Sequence, residues 1–245
     1  MFIPSNRCSF GVVSLKVSIM KVKFGAIVVA GRNKIGGHVA SANRGGAYFR
    51  TKVTPINPRT SFQNTVRARL TSLSQAWRGL TDVQREGWNA AVSQFSRTDI
   101  FGDIRNPSGV NLYQRLNNNL LAVGEAAIDD VPAVAEVEVV DLIGITAVRL
   151  PQALSIDLSA AVPATSKVKV FATPSLSPGI NFVSSEYRQI GFLDVDSPTP
   201  VDLLALYTAR FGDLVQNQKV FVAIEFVNID TGQTSTRQSI STIVT

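Results

Sequence analysis

The sequence predicts an α+β chain: a small N-terminal β-hairpin plus helical-hairpin domain, followed by an all-β immunoglobulin-like sandwich. Three observations carry this. Two helix starts, at Thr60 and Thr81, share a Thr-x-x-Gln capping spacing and lead into apolar stripes of helical period. Past Pro132 that period gives way to short runs in which apolar and polar residues alternate, as half-buried antiparallel strands do. Charge divides at about the same place. Residues 1–120 hold 17 Lys plus Arg against 4 Asp plus Glu, and residues 121–245 hold 7 against 14, giving nets of +13 and −7.

Residues 1–19 read as a tail or an over-extended reading frame, because the patterned sequence begins after Met20. Their apolar stretch is broken by Lys16, unlike the unbroken core of a signal peptide. Residues 22–30 carry the β-branched Val22, Ile27, Val28 and Val29 and read as a strand. Two further strands are expected at 39–42 and 47–53. Asn43-Arg44-Gly45-Gly46 forms the turn between them, since Asn and Gly accept positive φ cheaply. Residues 54–58 should be extended, because Pro55 and Pro58 each bias the preceding residue away from the helix.

The first helix opens at Thr60 and places Phe62, Val66, Leu70, Leu73 and Trp77 on one face, with Arg67, Arg69 and Arg78 off it and Gly79 at its end. The second runs over residues 82–96 with Trp88, Val92 and Phe95 as its stripe, completing an αα-hairpin about Gly79-Leu80. A third starts after Pro107-Ser108. It puts Leu112, Leu116 and Leu120 on one face, and Asn117, Asn118 and Asn119 outward or at its end. The boundary falls at residues 124–132, so that 20–124 form the basic domain and 133–245 the acidic sandwich. Strands are expected at 137–140, 147–150, 154–158, 167–172, 188–193 and 220–227, with a short helix within 201–211. Pro174, Pro178-Gly179, Pro198, Pro200 and Thr231-Gly232 punctuate them.

No catalytic constellation can be assembled, and an enzyme is not expected. The single histidine, His38, sits in a Gly-rich basic segment with no acid nearby in sequence. One cysteine, Cys8, and one histidine cannot build a structural zinc site. Asp129-Asp130, Asp194-x-Asp196 and Asp202 lack EF-hand spacing and read as turn formers. Residues 31–37 lack both the Gly-Lys-Ser/Thr ending of a P-loop and the Gly-x-Gly-x-x-Gly of a dinucleotide site, so no cofactor is expected. No apolar run reaches 18 residues, so no membrane partner is expected either.

What remains is binding. Arg32, Lys34, Arg44, Arg50, Lys52 and Arg59 lie close together in sequence with Tyr48 and Phe49 among them, and are the interface or phosphate-binding candidates. Arginine suits protein interfaces through its planar fork. The same residues suit nucleic acid, where cations meet phosphates and aromatics stack on bases. A glycan- or surface-binding module in the sandwich is a further alternative, with Tyr187, Tyr207 and Phe182 as its platforms.

The order of these motifs resembles one known context. A Gly-rich basic hairpin (31–46) and Ala47-Tyr48-Phe49-Arg50 are followed by Asn57-Pro58-Arg59-Thr60 leading into a helix. Leu80-Thr81-x-x-Gln84-Arg85-x-x-Trp88 comes next. Together they resemble uncharacterised proteins encoded in tailed-phage and prophage structural regions. The resemblance covers roughly residues 25–120 and transfers no catalytic residue. It implies a virion structural or assembly protein, made in the host cytoplasm. Its partners would be further copies of itself and other virion proteins, with nucleic acid as the alternative. A cationic and an anionic half would supply the two unlike surfaces that head-to-tail assembly needs.

Overall fold

The computed structural model describes residues 19–23, 31–54 and 57–245. These fall into two compact units, one ending at Arg59 and the other comprising Thr60–Thr245. The fold is mixed α+β, with four α-helices and several antiparallel sheets among the described residues.

The first unit is a four-stranded antiparallel sheet of β1 (Ile19–Val22), β2 (Asn33–Ile35), β3 (His38–Asn43) and β4 (Gly46–Thr51), ordered β1-β4-β3-β2: a meander of β2, β3 and β4 to which β1 adds beside β4. Its turns are glycine-dependent. Gly36 takes φ +58° between β2 and β3, and Gly46 takes φ +104° after the Arg44-Gly45 turn. The Asn43 side-chain oxygen accepts from the Gly45 N–H at 2.8 Å and pins that turn. Of the expected strand at 22–30, Val22 closes β1 and residues 24–30 lie outside the described residues, as do 1–18, 55 and 56.

The second unit begins with three capped helices. In α1 (Ser61–Gly79) the Thr60 hydroxyl accepts from the Gln63 N–H at 3.3 Å. In α2 (Asp82–Ala90) the capping box is complete. The Thr81 hydroxyl accepts from the Gln84 N–H, and the Gln84 side-chain Oε1 accepts from the Thr81 N–H at 3.0 Å. A 3₁₀ turn, Ala91–Phe95, ends that helix earlier than residue 96. The short hairpin of β5 (Arg97–Thr98) and β6 (Ile104–Arg105) follows, then α3 (Gly109–Ala122), capped by Ser108. Each such cap stabilises its helix by about 1 kcal/mol. Leu73, Trp88, Leu112, Tyr113 and Leu116 form the core of this part. The Trp88 ring stands edge-on to Tyr113 at 5.3 Å, and its Nε1 donates to the Asp129 carbonyl at 2.7 Å.

Two helical expectations change. Phe62, Val66 and Leu70, placed on one apolar face with Leu73 and Trp77, are 55, 59 and 52% exposed. At 1.5 Å per residue α1 is about 28 Å long and α3 about 21 Å, so the N-terminal turns of α1 outrun the helix that covers Leu73 and Trp77. Asn117, expected outside, is fully buried. Its amide donates to the carbonyls of Tyr113 and Ile128 and accepts from the Ile128 N–H at 2.6 Å, anchoring the chain that leaves α3.

The remaining elements are β7 (Leu142–Val148), β8 (Ala153–Leu158), β9 (Ser166–Ala172), β10 (Arg188–Leu193), β11 (Val201–Asp202), α4 (Leu204–Phe211), β12 (Lys219–Asn228) and β13 (Gln238–Ile243). They make a four-stranded sheet, β10-β9-β12-β13, and a three-stranded sheet, β11-β8-β7. Leu154 and Ile156 of one sheet share a buried cluster with Val168, Val170, Ile224 and Phe226 of the other. Each such side chain removed from water contributes roughly 1.5–3 kcal/mol. Residues 137–140 are not a strand. Side chains hold that segment instead, Ser166 bonding the Glu138 carbonyl and Gln238 the Val140 carbonyl.

Helices and sheets of this unit interlock around α3. The Asn119 amide donates to the Gly232 carbonyl at 2.9 Å, and Gln189 donates to the Ala122 carbonyl at 3.3 Å. Lys167 pairs with Glu125 just beyond α3 and with Asp194 beyond β10, at 2.7 and 2.9 Å. Residues 124–132 therefore lie inside a continuous compact unit.

Candidate functional site

Strand register sorts the meander into two faces, because residues directly opposite in antiparallel strands point to the same side. Met20, Ile35, His38, Ala40 and Phe49 share one face. Lys21, Lys34, Val39, Ser41, Tyr48 and Arg50 share the other. The first is largely apolar and the second largely cationic. Lys21 stands directly opposite Tyr48, and Val39 stands opposite both Arg50 and Lys34. One row across the sheet thus carries two cations, and the adjacent row carries a cation beside an aromatic ring.

All six candidate cations are exposed, but the structure does not bring all six together. Lys34 and Arg50 occupy the cationic face. Lys52 lies just past β4, its N–H donating to the Gly37 carbonyl at 2.8 Å. Arg32 precedes β2, Arg44 sits in the turn between β3 and β4, and Arg59 closes the unit at φ +49°. The reading omitted Lys21, which with Asn43, Gly45, Gly46, Tyr48 and Arg50 lines a depression of about 220 Å³. Period-2 alternation carried forward from Tyr48 and Arg50 gives the face but not the pairing partner, so Lys21 was recoverable only from register.

The electrostatics are one-sided. No Asp or Glu occurs before Asp82, so the whole meander is acid-free in sequence. The longest stretch without a basic residue, between Arg115 and Arg149, carries Glu125, Asp129, Asp130, Glu136, Glu138 and Asp141. Glu136 and Glu138 are exposed there on the side-chain-tethered segment that precedes β7.

Groups considered for other chemistry occupy structural places. His38 is exposed at the start of β3, opposite Thr51. Asp130 accepts from Gln84, Asp194 pairs with Lys167, and Asp202 accepts from the Leu204 N–H at the start of α4. Among the described residues no three His, Cys, Asp or Glu side chains gather as a metal site would need, and no helix is long and apolar enough to cross a membrane. Of the glycan platforms, Tyr207 is fully buried, its hydroxyl 3.2 Å from Ser175 Oγ, and cannot meet a sugar. Tyr187 is half-buried, and Phe182 stands 81% exposed. No known protein family, no curated protein and no solved structure matches the chain.

Proposed function

We propose that this chain is a non-enzymatic structural protein of a tailed-phage virion that assembles with copies of itself and with other particle proteins through its basic N-terminal arm. The observation that carries the reading is the acid-free meander. It is a separate compact unit whose Lys34, Arg44, Arg50 and Lys52 all face solvent. Unlike charge is available elsewhere on the same chain, in the acidic stretch around Glu136 and Glu138. Two unlike surfaces on one chain suit heterologous, head-to-tail contact. The order of sequence motifs from the Gly-rich hairpin to Trp88 supports the phage context.

The acidic part reads as an immunoglobulin-like sandwich. Support comes from the strand order: β7, β8 and β11 on one side, and β9, β10, β12 and β13 on the other, with the chain changing sheets between β8 and β9, between β10 and β11 and again before β12.

Sedimentation velocity on nucleic-acid-free protein tests the assembly reading. Oligomers should form at about 50 mM salt and dissociate towards about 500 mM, beyond which surface charges are screened. A monomer throughout, at high protein concentration, would remove the proposal.

A further inference from the structure

Beyond the meander, a second positively charged feature lies in the Thr60–Thr245 unit. A cavity of about 230 Å³ opens between the start of β5, the outer face of α3 and the turn joining β12 to β13. Gln94, Arg97, Arg115, Asn119, Gln233 and Thr234 are among its lining residues. At about 30 Å³ per water, it holds a tetrahedral oxyanion with several waters.

Its charge is uncompensated. Arg97 stands directly opposite Arg105 in the β5–β6 hairpin, and that hairpin supplies two carboxylates, Asp99 and Asp103. Arg105 takes both, at 3.3 Å each. Neither Arg97, which is exposed, nor the half-buried Arg115 forms an ion pair among the described residues, and the Arg115 guanidinium lies over the Phe95 ring at 5.8 Å. Burial and the charge of Arg97 both push Arg115 below its ordinary value, burial the more strongly. Two guanidinium groups, each a planar fork of donors, are therefore held beside one cavity with no anion between them.

We infer that the cavity bounded by Arg97 and Arg115 is an oxyanion-binding site that takes a phosphate group on the two arginines. The inference is independent of the assembly reading, because the residues belong to the other unit. Two guanidinium groups match the several oxygens of a phosphate, free or in a nucleic acid, better than the two of a single carboxylate.

The test is thermal unfolding of the full chain with inorganic phosphate, acetate or oligo-dT, with ionic strength held constant by chloride. Phosphate should raise the midpoint saturably, as mass action on the folded state requires. Arg115→Gln should weaken the response at least about tenfold, and Arg97→Gln should weaken it too, because each removes charge-assisted hydrogen bonds. Arg78→Gln on α1 should respond as wild type. Without added anion, Arg97→Gln should melt no lower than wild type, since it relieves like-charge repulsion, and this keeps the test clear of misfolding. A response to oligo-dT beside that to inorganic phosphate assigns a nucleic-acid phosphate, a response to inorganic phosphate alone assigns the free anion, and an acetate response equal to that of phosphate would overturn the assignment. Equal shifts with chloride, or an unchanged phosphate response in Arg115→Gln, would overturn the site.

Discussion

Lys169 on β9 donates a 2.7 Å hydrogen bond to the side-chain oxygen of Asn119 on α3, joining the four-stranded sheet to the helix packed against it. Lys169 is almost fully buried, and burial pushes its ammonium below the ordinary lysine value. Its other partner, Glu225 across from it on β12, lies at 3.6 Å and is itself shared with Arg237 at 3.1 Å. Asn119→Ala removes the short bond to the ammonium and the bond to the Gly232 carbonyl together. The expected loss in urea unfolding is about 2–4 kcal/mol, since buried polar groups are left unmatched. Lys169→Met keeps the volume and leaves Glu225 with Arg237, so its cost should be smaller, about 1 kcal/mol. The reverse ranking would show that Asn119 is not what holds the ammonium.

Gly232 supplies a second test of the same join. Its φ is +68°, and a Cβ there would run into the Leu116 carbonyl oxygen of α3. Gly232→Ala should cost well over 1 kcal/mol, because both the backbone conformation and the close approach oppose it. The helices and sheets should still melt in one transition. Two separate transitions in wild type would contradict their interlocking.

Lys167 makes the join pH-sensitive. Its hydrogen bonds to Glu125 first, and to Asp194, hold its ammonium above the ordinary 10.5. A group raised on folding contributes its full stabilisation below its unfolded value and loses it as pH rises through the folded one. Burial raises Tyr113 and Tyr207 above 10.0 in the same sense, whereas Lys169 acts in the opposite sense. The melting midpoint should therefore be flat near neutrality and fall above about pH 10. Lys167→Met should be less stable than wild type at neutral pH and converge with it at alkaline pH. A deficit that stayed constant with pH would mean that the lysine acts by packing alone.

Locally encoded features were legible in the sequence. Thr60, Thr81 and Ser108 cap three helices because a cap needs only its own residue and the next three. The Asn43–Gly46 turn was legible for the same reason. Residues 154–158 and 167–172 alternated clearly enough to mark β8 and β9 within a residue. What failed depended on distant partners. Helical period put Phe62 and Val66 on one apolar face with Leu73, but which turns of that face are covered depends on where α3 ends. Asn117 looked like a surface residue because its partner, Ile128, lies beyond the helix. β13 and β11 escaped notice, being respectively polar and only two residues long. At the candidate site, the cations and Tyr48 were legible from composition. The gathering of Lys34 and Lys21 onto the face of Tyr48 and Arg50 came only with the strand register.

The most direct test of the assembly account is sedimentation velocity, at about 50 mM salt, of a variant carrying Lys34→Glu, Arg44→Glu, Arg50→Glu and Lys52→Glu, beside wild type and free of nucleic acid. These side chains are all exposed, so the variant should fold as wild type does. The account predicts that wild type forms oligomers and the variant sediments as a monomer. Oligomers of the same size from both proteins would contradict it.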